Sequence, residues 1–208
     1  MKHHIYIFGS ICRGEFDANS DVDLLVCTDE KQHGFDTEKF SVYTYDRIKE
    51  MWKDGNPFAW HLYLEARLVY SFDGLNYIES LGKPSAYTAG KTDCTKFYQL
   101  FVDSMECVLN SENSITFNIS CCFLGMRNFA TCFSLYSGNA IFSRYSPLMI
   151  SPQAPIDRRV YDIYARCRIL STRGLGEIIS PSELGTVKST LIDIKNWMEL
   201  IMEENFHV

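Results

Sequence analysis

Between Ile5 and Val26 the chain reads IYIFGSICRGEFDANSDVDLLV, two apolar runs rich in strand formers that enclose glycines, small polar residues and charges. A stretch of this kind folds as strand, turn with short helix, and strand. In the second run side chains alternate between faces, so Asp21, Asp23 and Leu25 share one side while Val22, Leu24 and Val26 point to the other. Two carboxylates therefore lie side by side, ten intervening residues after the Gly9-Ser10 pair. Adjacent like charges on a partly buried strand are costly unless something positive joins them. Hard oxygen ligands suit Mg²⁺, which takes one or two carboxylates together with substrate phosphates. Gly9 can turn sharply at the end of the first strand, and a helix beginning just beyond it would offer free backbone N–H groups to phosphate oxygens. The residues point to a metal-nucleotide site. The competing reading is a solvated strand end carrying two aspartates beside an ordinary strand-to-helix turn.

The string GSICRGEFDANSDVDLLV resembles the signature of the DNA polymerase β-type nucleotidyltransferase superfamily: an apolar strand, Gly-Ser, about ten residues, then Asp-x-Asp in a second strand. Arg13-Gly14-Glu15 and Ser20-Asp21 are most similar to its small bacterial members, the minimal and antibiotic nucleotidyltransferases. The resemblance implies that Gly9, Ser10 and neighbouring amides hold a triphosphate, with Arg13 and Ser20 beside it, and that Asp21 and Asp23 hold Mg²⁺ or Mn²⁺. Arg13 has a second reading, in which it pairs with Glu15 or Asp17. Active members of the superfamily place a third carboxylate on the next strand to complete a two-metal site. The matching run here is FSVYTY, from Phe40 to Tyr45, and it contains no acid. Asp46 follows it and Glu38 precedes it. Two carboxylates alone still suit binding of Mg-ATP, because much of phosphoryl-type transfer is orientation and charge neutralisation.

The next stretch predicts a short helix with Ile48, Met51 and Trp52 inward, a Gly55-Asn56-Pro57 break, a second helix, and a strand at Arg67 to Tyr70. The second helix carries His61 and Glu65 at i and i+4, on one face. A similar HLxxE pattern in small bacterial nucleotidyltransferase-like proteins assigns the pair to the first domain. Glu65 is a candidate for the missing acid; the plainer reading is a hydrogen-bonded pair fixing the helix on the sheet.

With 208 residues and 46% apolar content, the chain is long enough for two domains with cores of their own. Gly74, Gly82, Pro84 and Gly90 punctuate a break, and the expected division is 1–82 and 83–208. Beyond the break the apolar period changes from two to about 3.6. Phe97, Leu100, Phe101, Met105 and Val108 mark one helix, and the run from Ile115 to Leu135 is apolar nearly all round, as a buried central helix would be. Ile156, Val160, Ile163, Cys167 and Leu170 mark a third helix. Leu184, Val187, Leu191, Ile194, Trp197 and Ile201 mark the last, with Pro181 near its start. The expected fold class is α+β: an N-terminal mixed β-sheet with flanking helices, then a C-terminal all-α helical bundle.

The eight cysteines form no CxxC pair and mostly fall inside apolar runs, the usage of reduced thiols in the cytoplasm. MKHHIYIFGS runs directly into the first strand, leaving no room for a cleavable signal, and no apolar stretch is long enough to span a bilayer. A net charge of -6 argues against broad, sequence-independent nucleic-acid binding.

The second half resembles, more weakly, the helical bundles attached to antibiotic nucleotidyltransferases and the related HEPN domains, on Arg127-Asn128, Gly138 and FSRYSP from Phe142 to Pro147. RNase-type HEPN members carry a His five positions after the Arg. Cys132 stands there, and a thiol is a poor proton shuttle near neutral pH, so RNase chemistry is not expected. Arg127 and Asn128 are candidates for contact with acceptor or nucleotide, or a polar pair between helices.

The mechanism expected from this resemblance is attack of an acceptor hydroxyl, bound between the domains, on the α-phosphorus of Mg-ATP or another nucleoside triphosphate, with release of pyrophosphate. The acceptor is a small molecule, protein or RNA. The opposing expectation is a non-catalytic binding module, an antitoxin-like partner of a toxin or a regulatory pseudoenzyme; a homodimer is also compatible.

Overall fold

The computed structural model describes residues 2–15, 22–29, 34–111 and 113–206. Strands β1 (His3–Phe8), β2 (Asp23–Thr28), β3 (Phe40–Thr44) and β4 (Arg67–Ser71) form one sheet in the order β3-β2-β1-β4. β1 pairs antiparallel with β2, setting Phe8 opposite Asp23 and Ile5 opposite Val26. β2 pairs parallel with β3, setting Leu25 opposite Ser41. The fold is therefore α+β with a mixed sheet, as expected.

The sheet's period-two pattern decides which residues build the first core. Tyr6, Phe8, Leu25 and Cys27 form one buried cluster with Ile48, Met51 and Trp52 of α1 (Tyr45–Lys53), Ala59 and Leu62 of α2 (Pro57–Glu65), and Ile78 of α3 (Tyr77–Ser80). Local chemistry starts and stops these helices. The Thr44 side chain accepts a hydrogen bond from the Arg47 amide, while Asn56 caps α2 through the Phe58 amide with Pro57 in its first turn. Polar atoms inside the cluster are satisfied. The Tyr6 hydroxyl donates to Asn76 Oδ1 at 3.1 Å and accepts from the Ile78 amide at 3.0 Å, while burial pushes its pKa up to about 12. Burial of a large aliphatic side chain such as Leu25, Ile48 or Leu62 contributes on the order of 2 kcal/mol.

By contact, residues 1–88 with 142–144 form one unit, and 89–141 with 145–208 the other. The second unit is built from α4 (Gly90–Asn110), α5 (Ile115–Tyr136), α6 (Arg158–Arg173) and α7 (Pro181–Phe206), a helical bundle as expected. α5 packs against the other three and is buried along most of its length, with Ile119, Met126 and Phe129 fully enclosed. Gly125 permits the close crossing of α4 on α5: a Cβ there would lie 2.9 Å from the Phe97 carbonyl oxygen.

On α6 the inward face differs from the aliphatic stripe the periodicity suggests. Tyr161, Tyr164, Ala165 and Cys167 are buried, whereas Val160, Ile163 and Leu170 are only partly covered. Tyr164 can replace an aliphatic residue because its hydroxyl has partners, Thr190 Oγ1 at 3.0 Å and the Val187 carbonyl at 3.3 Å. Five of the eight cysteines are buried. No helix is long and apolar enough to cross a membrane among the described residues.

The start of α7 is a reciprocal cap. The Ser180 hydroxyl accepts from the Glu183 amide at 3.3 Å, and Glu183 Oε2 accepts from the Ser180 amide at 2.9 Å. Arg166 Nη2 donates to the other Glu183 oxygen at 2.7 Å. Arg166 and then the Ser180 contacts hold the Glu183 pKa down, to about 2. A carboxyl depressed on folding stabilises fully above its unfolded pKa and loses that contribution as pH falls through the folded value. Ser180→Ala is expected to lower stability by about 1 kcal/mol, read by urea unfolding near neutral pH. In the unmodified protein the Glu183 contribution should fade between the ordinary glutamate range and pH about 2, and a Glu183→Gln melting profile flatter than wild type across that window checks it. Leu25→Ala, which empties a fully buried site in the sheet core, is expected to cost about 2–5 kcal/mol in the same measurement.

Candidate functional site

The site forms where β1 ends and β2 begins. Gly9 follows Phe8 with φ +80, a conformation that L side chains rarely adopt, and opens a 3-10 turn over Gly9–Arg13. The turn closes at Gly14, itself left-handed at φ 72. The Gly14 amide donates to the Ile11 carbonyl at 3.2 Å, and the Glu15 amide to the Ser10 carbonyl at 2.9 Å. The expected helix is therefore a single short turn. Its few peptides sum to only a small dipole, and what it offers a phosphate is individual N–H groups.

Asp23 is the first residue of β2, exposed, and on the face that carries Leu25 and Cys27 into the core. Its carboxylate packs directly against Gly9: a Cβ at that glycine would collide with Oδ2 and lie 3.1 Å from Cγ. The antiparallel register thus places the Gly9 turn and the Asp23 carboxylate together. Asp21 and Ser20, with Asp17, lie outside the described residues.

Arg13, the last residue of the turn, donates from Nε to Glu15 Oε2 at 3.0 Å and from Nη1 to Glu65 Oε2 at 2.5 Å. Glu65 Oε2 also meets His61 Nε2 at 2.8 Å. Burial pushes the Glu65 pKa up, but the hydrogen bond and charge of His61 and the charge of Arg13 outweigh it and hold the carboxyl below its usual range. The i,i+4 pair read from the sequence is present and fixes more than its own helix, because through Arg13 it reaches the turn. That ion pair spans 52 residues of chain, so no local pattern could reveal it. Cys12 sits in the same neighbourhood; burial raises its pKa, and the charges of Arg67, Glu65, Arg13 and Asp23 all act on it.

The other acidic candidates are elsewhere. Asp46 lies in the first turn of α1, with its side chain 90% exposed and 3.7 Å from Lys49. Glu38 is exposed in the turn before β3. On β3, Ser41 and Tyr43 lie opposite Leu25 and Cys27, so β3 itself brings no acid to the Asp23 face. Among the described residues, no group of three His, Cys, Asp or Glu side chains is placed to hold a metal ion. The donor set fits a hard cation in part: Asp23 supplies carboxylate oxygens at an exposed strand end beside the turn.

In the helical unit, Arg127 Nη1 donates to Asn128 Oδ1 at 2.8 Å, and the Arg127 carbonyl accepts from Ser146 Oγ at 3.1 Å. Both side chains are part-buried. Cys132 is buried. Arg144 groups with the first unit, while Tyr145 belongs to the second, where the Arg158 guanidinium lies 3.4 Å from its ring centroid.

Residues 3–71 match the family model described as Polymerase beta, Nucleotidyltransferase. The match covers the whole sheet and supports a nucleotidyltransferase fold of the polymerase β-like superfamily for this part of the chain. No curated protein matches the chain.

Gly9→Ala is expected to destabilise the first unit by about 1–3 kcal/mol, the scale of a strained left-handed backbone, and to push the Asp23 carboxylate off the turn. Thermal unfolding checks the first effect, and the chemical shift of the Asp23 carboxyl carbon, compared between wild type and variant, checks the second.

Proposed function

We propose that the protein transfers a nucleoside monophosphate from a nucleoside triphosphate, with ATP the first candidate, to a hydroxyl acceptor on a small molecule, protein or RNA. The observation that carries this reading is the contact of the Asp23 carboxylate with Gly9 at the mouth of the turn, inside the stretch matched by the nucleotidyltransferase family. In the proposed complex, Ser10 and the amides of the turn bind phosphate oxygens, with Arg13 and Ser20 beside them. Asp21 and Asp23 would hold Mg²⁺ or Mn²⁺, whose contribution when bound is to neutralise triphosphate charge. The acceptor oxygen forms a bond to the α-phosphorus as the bond to the pyrophosphate oxygen breaks. Rate enhancement comes chiefly from holding these atoms in line. The helical unit, with Arg127 and Asn128, is proposed to be HEPN-like and to serve acceptor recognition without RNase chemistry.

A second reading has a specific observation behind it. β3 presents Ser41 and Tyr43 on the Asp23 face and no acid, and Asp46 is turned to solvent. A β3 that brings no carboxylate to this face favours binding over turnover, as in a regulatory pseudoenzyme or an antitoxin-like partner of a toxin.

Replacing Asp21 and Asp23 together by Asn is expected to abolish Mg²⁺-dependent ATP binding in a calorimetric titration, and an unchanged isotherm overturns the assignment. Incubation of the wild type with labelled ATP and Mg²⁺ or Mn²⁺ separates the two readings. Released pyrophosphate with a labelled acceptor supports transfer, whereas ATP binding without release supports the binding module.

A further inference from the structure

We propose that Glu65 is a positioning residue for the Gly9–Arg13 turn, acting through Arg13. As an account of nucleotide affinity, this rests on the function proposed above.

Two backbone hydrogen bonds close the end of the turn, Gly14 to Ile11 and Glu15 to Ser10, and the longer measures 3.2 Å. Arg13 ends the turn and is tied on both sides, to Glu15 two residues on and to Glu65 at the end of α2. Glu65 is in turn tied to His61 one helical turn back. The chain His61–Glu65–Arg13–Glu15 therefore runs from the face of α2 to the residue just beyond the turn. It is also well sheltered, with side-chain exposures of 15%, 13%, 19% and 26%.

The α2 end of this chain is packed between aromatic rings. The His61 ring meets Phe8 edge-on at 5.6 Å and stacks on Phe142 at 4.6 Å, within the same unit. Phe8 is the residue before Gly9 and lies opposite Asp23. α2 thus grips the turn twice, by a ring contact where it begins and by an ion pair where it ends. Sheltered ion pairs are poor sources of net stability compared with apolar packing, but they fix geometry when each oxygen and nitrogen has a set partner. A turn whose amides must meet phosphate oxygens gains most from fixed geometry.

The experiment uses the full chain as Glu65→Gln, Arg13→Gln and the double variant. Glu65→Gln keeps the shape and a possible bond to His61 but removes the charge. Amide exchange without nucleotide reads the turn directly at Gly14 and Glu15. Each single variant is expected to speed exchange there by about tenfold, the scale of one charge-assisted hydrogen bond, with β1 and α2 amides unchanged. Because Glu65 acts through Arg13, the double variant should be no faster than Arg13→Gln alone. Arg13→Gln breaks the same pair from the loop and serves if Glu65→Gln fails to fold. Additive effects, or unchanged exchange at Gly14 and Glu15, overturn the proposal.

Mg-ATP titration of the same proteins supplies the functional arm, with about tenfold weaker affinity expected in each single variant. Wild-type binding with unaltered affinity in both variants overturns the role in nucleotide positioning. No binding by the wild type, with exchange behaving as expected, overturns the proposed function and leaves the role of Glu65 in the turn supported.

Discussion

The antiparallel pairing of β1 with β2 is the constraint from which the rest of the first unit follows. Setting Phe8 opposite Asp23 buries the aromatic ring at the edge of the core while leaving the neighbouring carboxylate at the strand's open end. A shift of one residue would exchange the faces, sending Asp23 and Leu25 to the side now held by Leu24 and Val26. Tyr6, Leu25 and Cys27 in the helix-covered cluster make that slip costly. The same pairing leaves no room for a side chain at position 9, so the geometry of the turn and the position of the carboxylate are one feature.

Charge is distributed around this site so that each buried group has a counterpart. Arg13 sits between two glutamates, and Glu65 between an arginine and a histidine. Asp23 lies exposed at the strand end, where solvation lowers the cost of its charge. The helical unit follows another logic. Its interior is filled by large side chains whose polar tips find partners, as Tyr164 does on Thr190 and Val187, and Trp197 Nε1 on the Pro152 carbonyl at 2.9 Å.

Much of this was legible from residue order. Ile48, Met51 and Trp52 face inward on α1, the strand at Arg67 extends to Ser71, and Pro181 opens α7. These features rest on short-range rules, namely side-chain period, proline geometry and caps. α6 departed from its aliphatic stripe because periodicity counts apolar residues and undervalues a tyrosine whose hydroxyl is satisfied. The short helix expected at Gly9 is a 3-10 turn over Gly9–Arg13, ended by Gly14 in the left-handed region.

Residue order by itself determined the α+β class, the strand–turn–strand unit and the juxtaposition of Gly9-Ser10 with an aspartate-bearing strand, because each depends on neighbours in the chain and on the two-residue repeat of a strand. Only the tertiary structure decided what Arg13, Glu65 and Asp46 do. Asp46 was drawn into the first turn of a helix and out to solvent, while Arg13 and Glu65, 52 residues apart, were brought into one ion pair. Such partnerships are set by how α2 packs on the turn, and packing of distant segments leaves no periodic trace along the chain.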